Sequence, residues 1–398
     1  MSTSTPHPSL SDHPRAAPPA SSGPVRGPSA RRVGPSSPGR PSARPEHSSR
    51  GSWIAPTAAA WWAAGGVAAL VVTLTGGTLA VGDANDLSFG ALSGVAGATL
   101  TPWVAVLALV GAATALRAWL GARHRPVARA DRALTVAATA VVSAGVLALT
   151  DASILARLGY LPVTVVMAPF DPVIRAAFED FLGPGPLTQL ALLAGGALLV
   201  ASTWRFVRRG AGACASCGRR HDGHDPAWTT PAAAARWGRT AALVAAAIPT
   251  FYAVTRIAWV LGIPLGFSPD DVAQLAGDDG WVAALGLGGF ALVGAVLTLG
   301  LFRRWGEVFP RWTVGLAGRR VPVGLAVVPA TIVAVAVLPA GLSLIVLGFG
   351  ESRLALTADS WGAVGPTLLW PVWSLALGAA TYAYWLRRRA TCRVCGRG

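Results

Sequence analysis

Long apolar runs dominate the chain. Short polar stretches carrying arginine or aspartate separate them. An α-helix needs roughly 20 apolar residues to cross a hydrocarbon core of about 30 Å. Eight runs approach that length: residues 57–81, 102–120, 133–149, 187–206, 240–261, 281–302, 323–347 and 364–386. They predict an all-α polytopic membrane protein with eight transmembrane helices. The 151–184 connection carries Asp151, Arg157, Asp171, Arg175, Glu179 and Asp180. Within it, 161–170 is apolar but too short to cross and holds Pro162 and Pro169, which suits a re-entrant or interfacial segment. A short amphipathic helix is expected at 173–178.

Charge sharpens this picture. The basic residues are all arginine, 33 of them against 18 acidic residues. Place the N-terminal tail, the 121–132 loop, the 207–239 linker, the 303–320 loop and the C-terminus on one side. That side, with helix ends Arg117 and Arg205, then holds every arginine except Arg157, Arg175, Arg256 and Arg353. Most acidic residues fall on the other side. By the positive-inside rule the arginine-rich side is cytoplasmic, which predicts a multi-pass plasma-membrane protein with both termini inside. An even number of spans keeps this assignment self-consistent. Topology thus accounts for the net charge of +15, and nucleic-acid binding is not expected. Composition agrees: 53% of residues are hydrophobic and 13% charged, against about 25% charged in soluble proteins.

Residues 1–52 are rich in Pro, Ser, Arg and His and nearly free of large apolar residues, and read as a disordered basic tail. The rest divides into a four-span half at 53–207, a linker at 208–236, a second four-span half at 237–389 and a tail at 390–398. Two features suggest parallel repeats. Trp103-Val104-Ala105 and Trp281-Val282-Ala283 open matching spans, and each half ends in arginines followed by the same phrase.

That phrase holds all four cysteines. Cys214 and Cys217 precede Gly218-Arg219, and Cys392 and Cys395 precede Gly396-Arg397. Two thiolates three positions apart grip one edge of a metal ion, and glycine lets the chain turn N–H groups toward sulfur. Four such thiolates make a closed tetrahedral structural site. The leading expectation is one structural zinc shared by Cys214, Cys217, Cys392 and Cys395, clipping the halves together on the cytoplasmic face. Three alternatives stand beside it. Cys214 and Cys217 would bind metal locally with His221 and His224. Each pair would act as a thiol–disulfide couple. Or the thiols would carry no ligand.

Arg256 is the arginine placed well inside a predicted span, and such a charge is a functional candidate by default. Snorkelling, or pairing with Asp270 or Asp271, is its structural alternative. Prolines 249, 329, 339, 366 and 371 suit broken helices. Trp305, Phe309 and Trp312 among arginines suggest a segment anchored at the interface. The basic tail and loops are candidates for contact with anionic lipid head groups. No phosphate-binding loop, zinc-protease or dinucleotide motif occurs, and no set of catalytic residues can be assembled, so enzymatic activity is not expected.

The stretch Tyr252-Ala-Val-Thr-Arg256-Ile-Ala-Trp259-Val-Leu-Gly262-Ile-Pro264-Leu-Gly266 resembles multi-pass membrane proteins of actinobacteria. So does the series Arg304, Pro310, Trp312, Gly318, Arg319, Arg320 and Pro322. These proteins bring no established activity, so the resemblance implies no catalytic residue. It marks Arg256 as a family feature. The function expected from the repeats, Arg256 and the prolines is small-molecule transport. The alternative is a non-catalytic scaffold or sensor acting through the cytoplasmic face.

Overall fold

Backbone amides have no water to bond inside a bilayer, so an apolar run of this kind must close its own hydrogen bonds as a helix. The computed structural model, which describes residues 53–81, 90–92, 94–121, 127–277, 280–350 and 356–397, is all-helical. The tail at 1–52 lies outside the described residues. The helices are α1 (Ile54–Leu74), α2 (Gly97–Gly121), α3 (Arg129–Leu149), α4 (Ser153–Met167), α5 (Pro172–Phe181) and α6 (Pro184–Gly210). They continue with α7 (Pro231–Val260), α8 (Pro269–Gly277), α9 (Gly280–Leu299), α10 (Val323–Gly350), α11 (Trp361–Leu368) and α12 (Trp370–Arg388).

The chain is a multi-pass α-helical membrane protein, but the expected count of eight spans is wrong. Six helices are long and apolar enough to cross: α1, α2, α3, α6, α7 and α10. The α11–α12 pair makes a seventh if its two pieces, bent by 40°, form one span. Two of the expected runs failed for local reasons. In 364–386, Pro366 and Pro371 remove two helical N–H donors and the helix breaks at Leu369. In 281–302, the helix stops at Leu299 and the chain folds back so tightly that a Cβ on Gly306 would lie 1.9 Å from the Gly300 carbonyl oxygen. α9 itself runs Gly280–Leu299, and its apolar stretch Ala284–Leu299 is shorter than the six crossing helices.

The expected pair of parallel four-helix halves is not found either. Two hydrophobic clusters do form. One gathers Trp62, Leu100, Val104, Val142, Val146 and Leu199 from α1, α2, α3 and α6. The other gathers Ala242, Leu301, Ala334, Leu377 and Tyr384, centred on α7, α10 and α12. Their packing differs. α2 lies against α1, α3 and α6, whereas α9 lies along α7 and α8. α4 and α5 intervene between α3 and α6, with no counterpart between α10 and α11 among the described residues. The matching tripeptides and phrases therefore do not extend to a repeated fold.

Small residues set the helix contacts, as expected where apolar side chains gain nothing by leaving lipid. Gly111 faces the Trp62 ring so closely that a Cβ would sit 2.6 Å from it. Trp62 then donates its indole N–H to the Gly195 carbonyl at 2.9 Å, tying α1 to α6. Buried threonines bond back to the preceding turn: Thr114 to Val110 and Thr381 to Leu377, both at 2.7 Å. Thr139 and Thr203 also share a bond of 2.7 Å between α3 and α6.

The contact that matters for the cysteines is between α7 and α12. Ala234, Ala383 and Leu386 form its buried seam. A Cβ on Gly238 would meet the Ala383 Cβ at 2.4 Å. We predict that Gly238→Val destabilises the protein by about 1–3 kcal/mol through overpacking, read as a lower thermal midpoint in detergent. Because α7 and α12 are antiparallel, this seam sets the end of α12 beside the start of α7. The opposite ends of the two clusters meet where α10 packs on α3 and α4, and Ser343 Oγ donates to the Thr150 carbonyl at 3.5 Å.

Candidate metal centre

α6 ends at Gly210, and Gly212 takes a positive φ of 73° that turns the chain back. The first cysteine turn follows. The Cys214 N–H donates to the Arg219 carbonyl at 2.9 Å, and the Gly218 N–H to the Cys214 carbonyl at 2.8 Å. The second turn repeats both bonds: Cys392 N–H to Arg397 carbonyl at 2.8 Å and Gly396 N–H to Cys392 carbonyl at 2.8 Å. Gly218 and Gly396 have matching φ values of 74° and 70°, in the left-handed region that favours glycine. The CxxCGR phrase thus encodes one turn, used twice.

The α7–α12 seam brings the two turns together. Sγ of Cys214 lies 4.0 Å from that of Cys392, and Sγ of Cys217 lies 3.5 Å from that of Cys395. All four sulfurs lie within 4.8 Å of one another. A tetrahedron of thiolates about 2.3 Å from a central ion has sulfurs about 3.8 Å apart, so the spacing fits a metal ion. It does not fit a disulfide, which needs about 2.05 Å. Cys214, Cys217 and Cys392 are buried and Cys395 is half-buried. With four protein ligands and no free edge, the site is closed and suited to structure rather than catalysis.

This cluster is the only group of candidate metal ligands among the described residues. Its third and fourth members come from the second turn, not from His221 and His224. The His224 ring nitrogen faces the Asp222 carbonyl at 3.1 Å.

Without an ion the thiols resist ionising together. Burial first, with neighbouring thiols adding, pushes Cys217 up to about 12. Burial also raises Cys392, but the N–H groups of Cys395 and Val394 and the thiols of Cys217 and Cys395 outweigh it and bring it down to about 7. A divalent ion is the natural remedy for four thiolates crowded into one buried site.

Arginines cross-brace the turns reciprocally. Arg219 of the first turn donates to the Arg397 carbonyl at 2.8 Å and to Ala390 at 3.3 Å. Arg397 of the second donates to the carbonyls of Arg220 and His221, both at 2.6 Å. Arg389 reaches the Cys217 carbonyl at 2.8 Å. Arg208 reaches the Tyr382 hydroxyl at 3.0 Å. A divalent ion with four thiolates carries two net negative charges, and these guanidinium groups surround it.

Beneath the cluster the aromatics that close two apolar runs converge in one layer, a contact the sequence does not display. Tyr382 stacks on Trp385 at 5.6 Å and meets Trp204 and Trp228 at 6.2 Å each. Arg208 sits over Trp204 at 5.0 Å and over Trp385 at 5.5 Å. Its signal was present: aromatic residues placed next to arginines at the ends of two runs, the composition of a membrane–water interface.

Arg256 is held by aromatic rings and backbone carbonyls. It pairs with neither Asp270 nor Asp271; Asp271 instead binds the Ser268 hydroxyl at 2.6 Å. Its guanidinium lies between the rings of Tyr252 and Trp259, at 4.1 and 4.2 Å. It donates to the Gly362 carbonyl at 3.0 Å and to Ala363 at 3.5 Å. The Gly362 carbonyl would ordinarily accept from residue 366, but that residue is Pro366 and has no N–H. Arg256 fills the gap. Nearby, the Gly362 N–H donates to the Gly266 carbonyl at 2.8 Å, so α7, the loop after it and α11 are locked at one point.

No protein-family model, curated protein or solved structure matches this chain.

Proposed function

We propose that this protein is a membrane scaffold whose working surface is the end bearing the cysteines, and that a structural zinc ion holds that surface together. The observation that carries the proposal is the four-sulfur cluster drawn from both ends of the second helical cluster, Cys214 and Cys217 before α7 and Cys392 and Cys395 after α12. Four thiolates in a tetrahedron suit zinc or iron. We take zinc, whose structural sites are closed and four-coordinate. Bound there, the metal would supply cross-linking and no reactive position.

We place this end in the cytoplasm. The arginine bias supports that orientation, as does a reducing compartment that keeps unpaired thiols available to a metal. A green-fluorescent fusion at the C-terminus should fluoresce, and an alkaline-phosphatase fusion there should be inactive. The reverse pattern would turn the surface outward.

Small-molecule transport is the second reading, resting on Arg256 as a charge within the helices. Its occupation by Tyr252, Trp259 and two carbonyls weighs toward an architectural role. The scaffold reading predicts a discrete protein partner captured by photo-crosslinking from His224 or Arg393, lost in Cys392→Ser. Crosslinks to lipid alone from both positions would count against it.

A further inference from the structure

Residues 300–322 join α9 to α10 at the cysteine end, and they are held rather than loose. Arg387 pairs with Glu307 at 2.7 Å and also donates to the Leu301 carbonyl. Arg388 donates to the Val321 carbonyl at 2.8 Å and to the Glu307 carbonyl at 3.3 Å. The Tyr384 hydroxyl donates to Gly306 at 2.8 Å. Successive helical residues point about 100° apart, so Arg387 and Arg388 grip this loop while Arg389 grips the cysteine turn. The strands of the loop pair with each other: Phe309 N–H to Arg319 carbonyl and Gly318 N–H to Phe309 carbonyl, both at 3.0 Å.

What this clamped loop presents is unusual for a water-facing turn. At its tip Trp312 is 80% exposed, Val314 98% and Leu316 43%. Arg311, Arg319 and Arg320 flank them, also exposed. The loop's carboxylate, Glu307, is already neutralised by Arg387. Trp305 packs its ring edge on Gly300, where a Cβ would meet it at 2.6 Å, and stays 37% exposed. The loop leads into α10, one of the helices long and apolar enough to cross, so its root belongs at the end of a span. Tryptophan favours that level, and arginine forks bind phosphate oxygens in pairs.

We propose that this loop is an anchor for anionic phospholipid. Trp312, Val314 and Leu316 enter the head-group layer, and Arg311, Arg319 and Arg320 bind lipid phosphates. The site is independent of the metal centre and of the scaffold reading. Its partner is the bilayer rather than a soluble protein, because apolar tip and cationic flank match the two chemistries that meet at a lipid surface.

The test is hydrogen–deuterium exchange on the full-length protein in nanodiscs of phosphatidylcholine, with and without phosphatidylglycerol. Amides at 309–319 should exchange several-fold more slowly when phosphatidylglycerol is present, while α7 amides stay unchanged. Adding inorganic phosphate to phosphatidylcholine discs should not reproduce the effect. The Arg311→Gln/Arg319→Gln/Arg320→Gln variant should lose the difference. Equal exchange in the two lipids would overturn the proposal even if that variant failed to fold. So would a difference that survives in the variant, or protection seen in native membranes but in neither nanodisc, which would assign the loop to a protein partner.

Discussion

Cys214→Ser and Cys392→Ser should each lower the thermal midpoint by about 10 °C, and the double variant should fall no further than either single one. The two residues are 178 positions apart, yet their sulfurs lie 4.0 Å apart in one cluster. Loss of a structural metal removes a stabilisation of several kcal/mol, and each kcal/mol moves the midpoint by roughly 2–4 °C in a chain of this order of size. Residues that act through one ion are non-additive. Additive losses would mean two separate sites, and a silent Cys392 variant would leave the first turn alone with the metal. The same measurement on Arg219→Gln and Arg397→Gln should show smaller losses. Each removes partly exposed hydrogen bonds to the opposite turn and leaves the ligands in place.

Arg256→Met should be the most damaging substitution outside the metal centre, at about 3–5 kcal/mol. It leaves the Gly362 carbonyl with no donor and removes a cation from between two rings. In a Pro366→Ala background, residue 366 regains an N–H that can satisfy Gly362 along the helix. Arg256→Met should then cost less, by about 1–2 kcal/mol, than in the parent chain. The measurement is a four-member thermal-unfolding cycle in one detergent. A cycle with no coupling would contradict the role assigned to Pro366. A substrate-dependent signal abolished by Arg256→Met without loss of stability would return transport to the front.

Hydropathy made much of the fold legible and missed specific parts of it. Six of the eight runs became α1, α2, α3, α6, α7 and α10, because a long unbroken apolar run in lipid has one way to satisfy its backbone. The other two failed at events that an averaged window does not register. One is a pair of prolines that deletes two donors at the Leu369 break, and the other is the end of α9 at Leu299, three residues before its apolar run ends. The repeated phrase made the four clustered cysteines legible too, since the turn is local. Their convergence was not local: it depends on Gly238 admitting Ala383 along the α7–α12 seam. Arg256 misled for a similar reason. Its acceptor lies 106 residues away, although a proline four positions after Gly362 does advertise an orphaned carbonyl. The arginines at 387–389 were read only through the charge-bias rule, which explains their presence without asking what each one holds.

The central claim is that one metal ion joins both cysteine turns. Elemental analysis of the purified full-length chain, beside its Cys392→Ser variant, tests it most directly. The account predicts about one zinc per wild-type chain and almost none in the variant. Wild-type protein without a transition metal, or a variant that keeps its full complement, would contradict it.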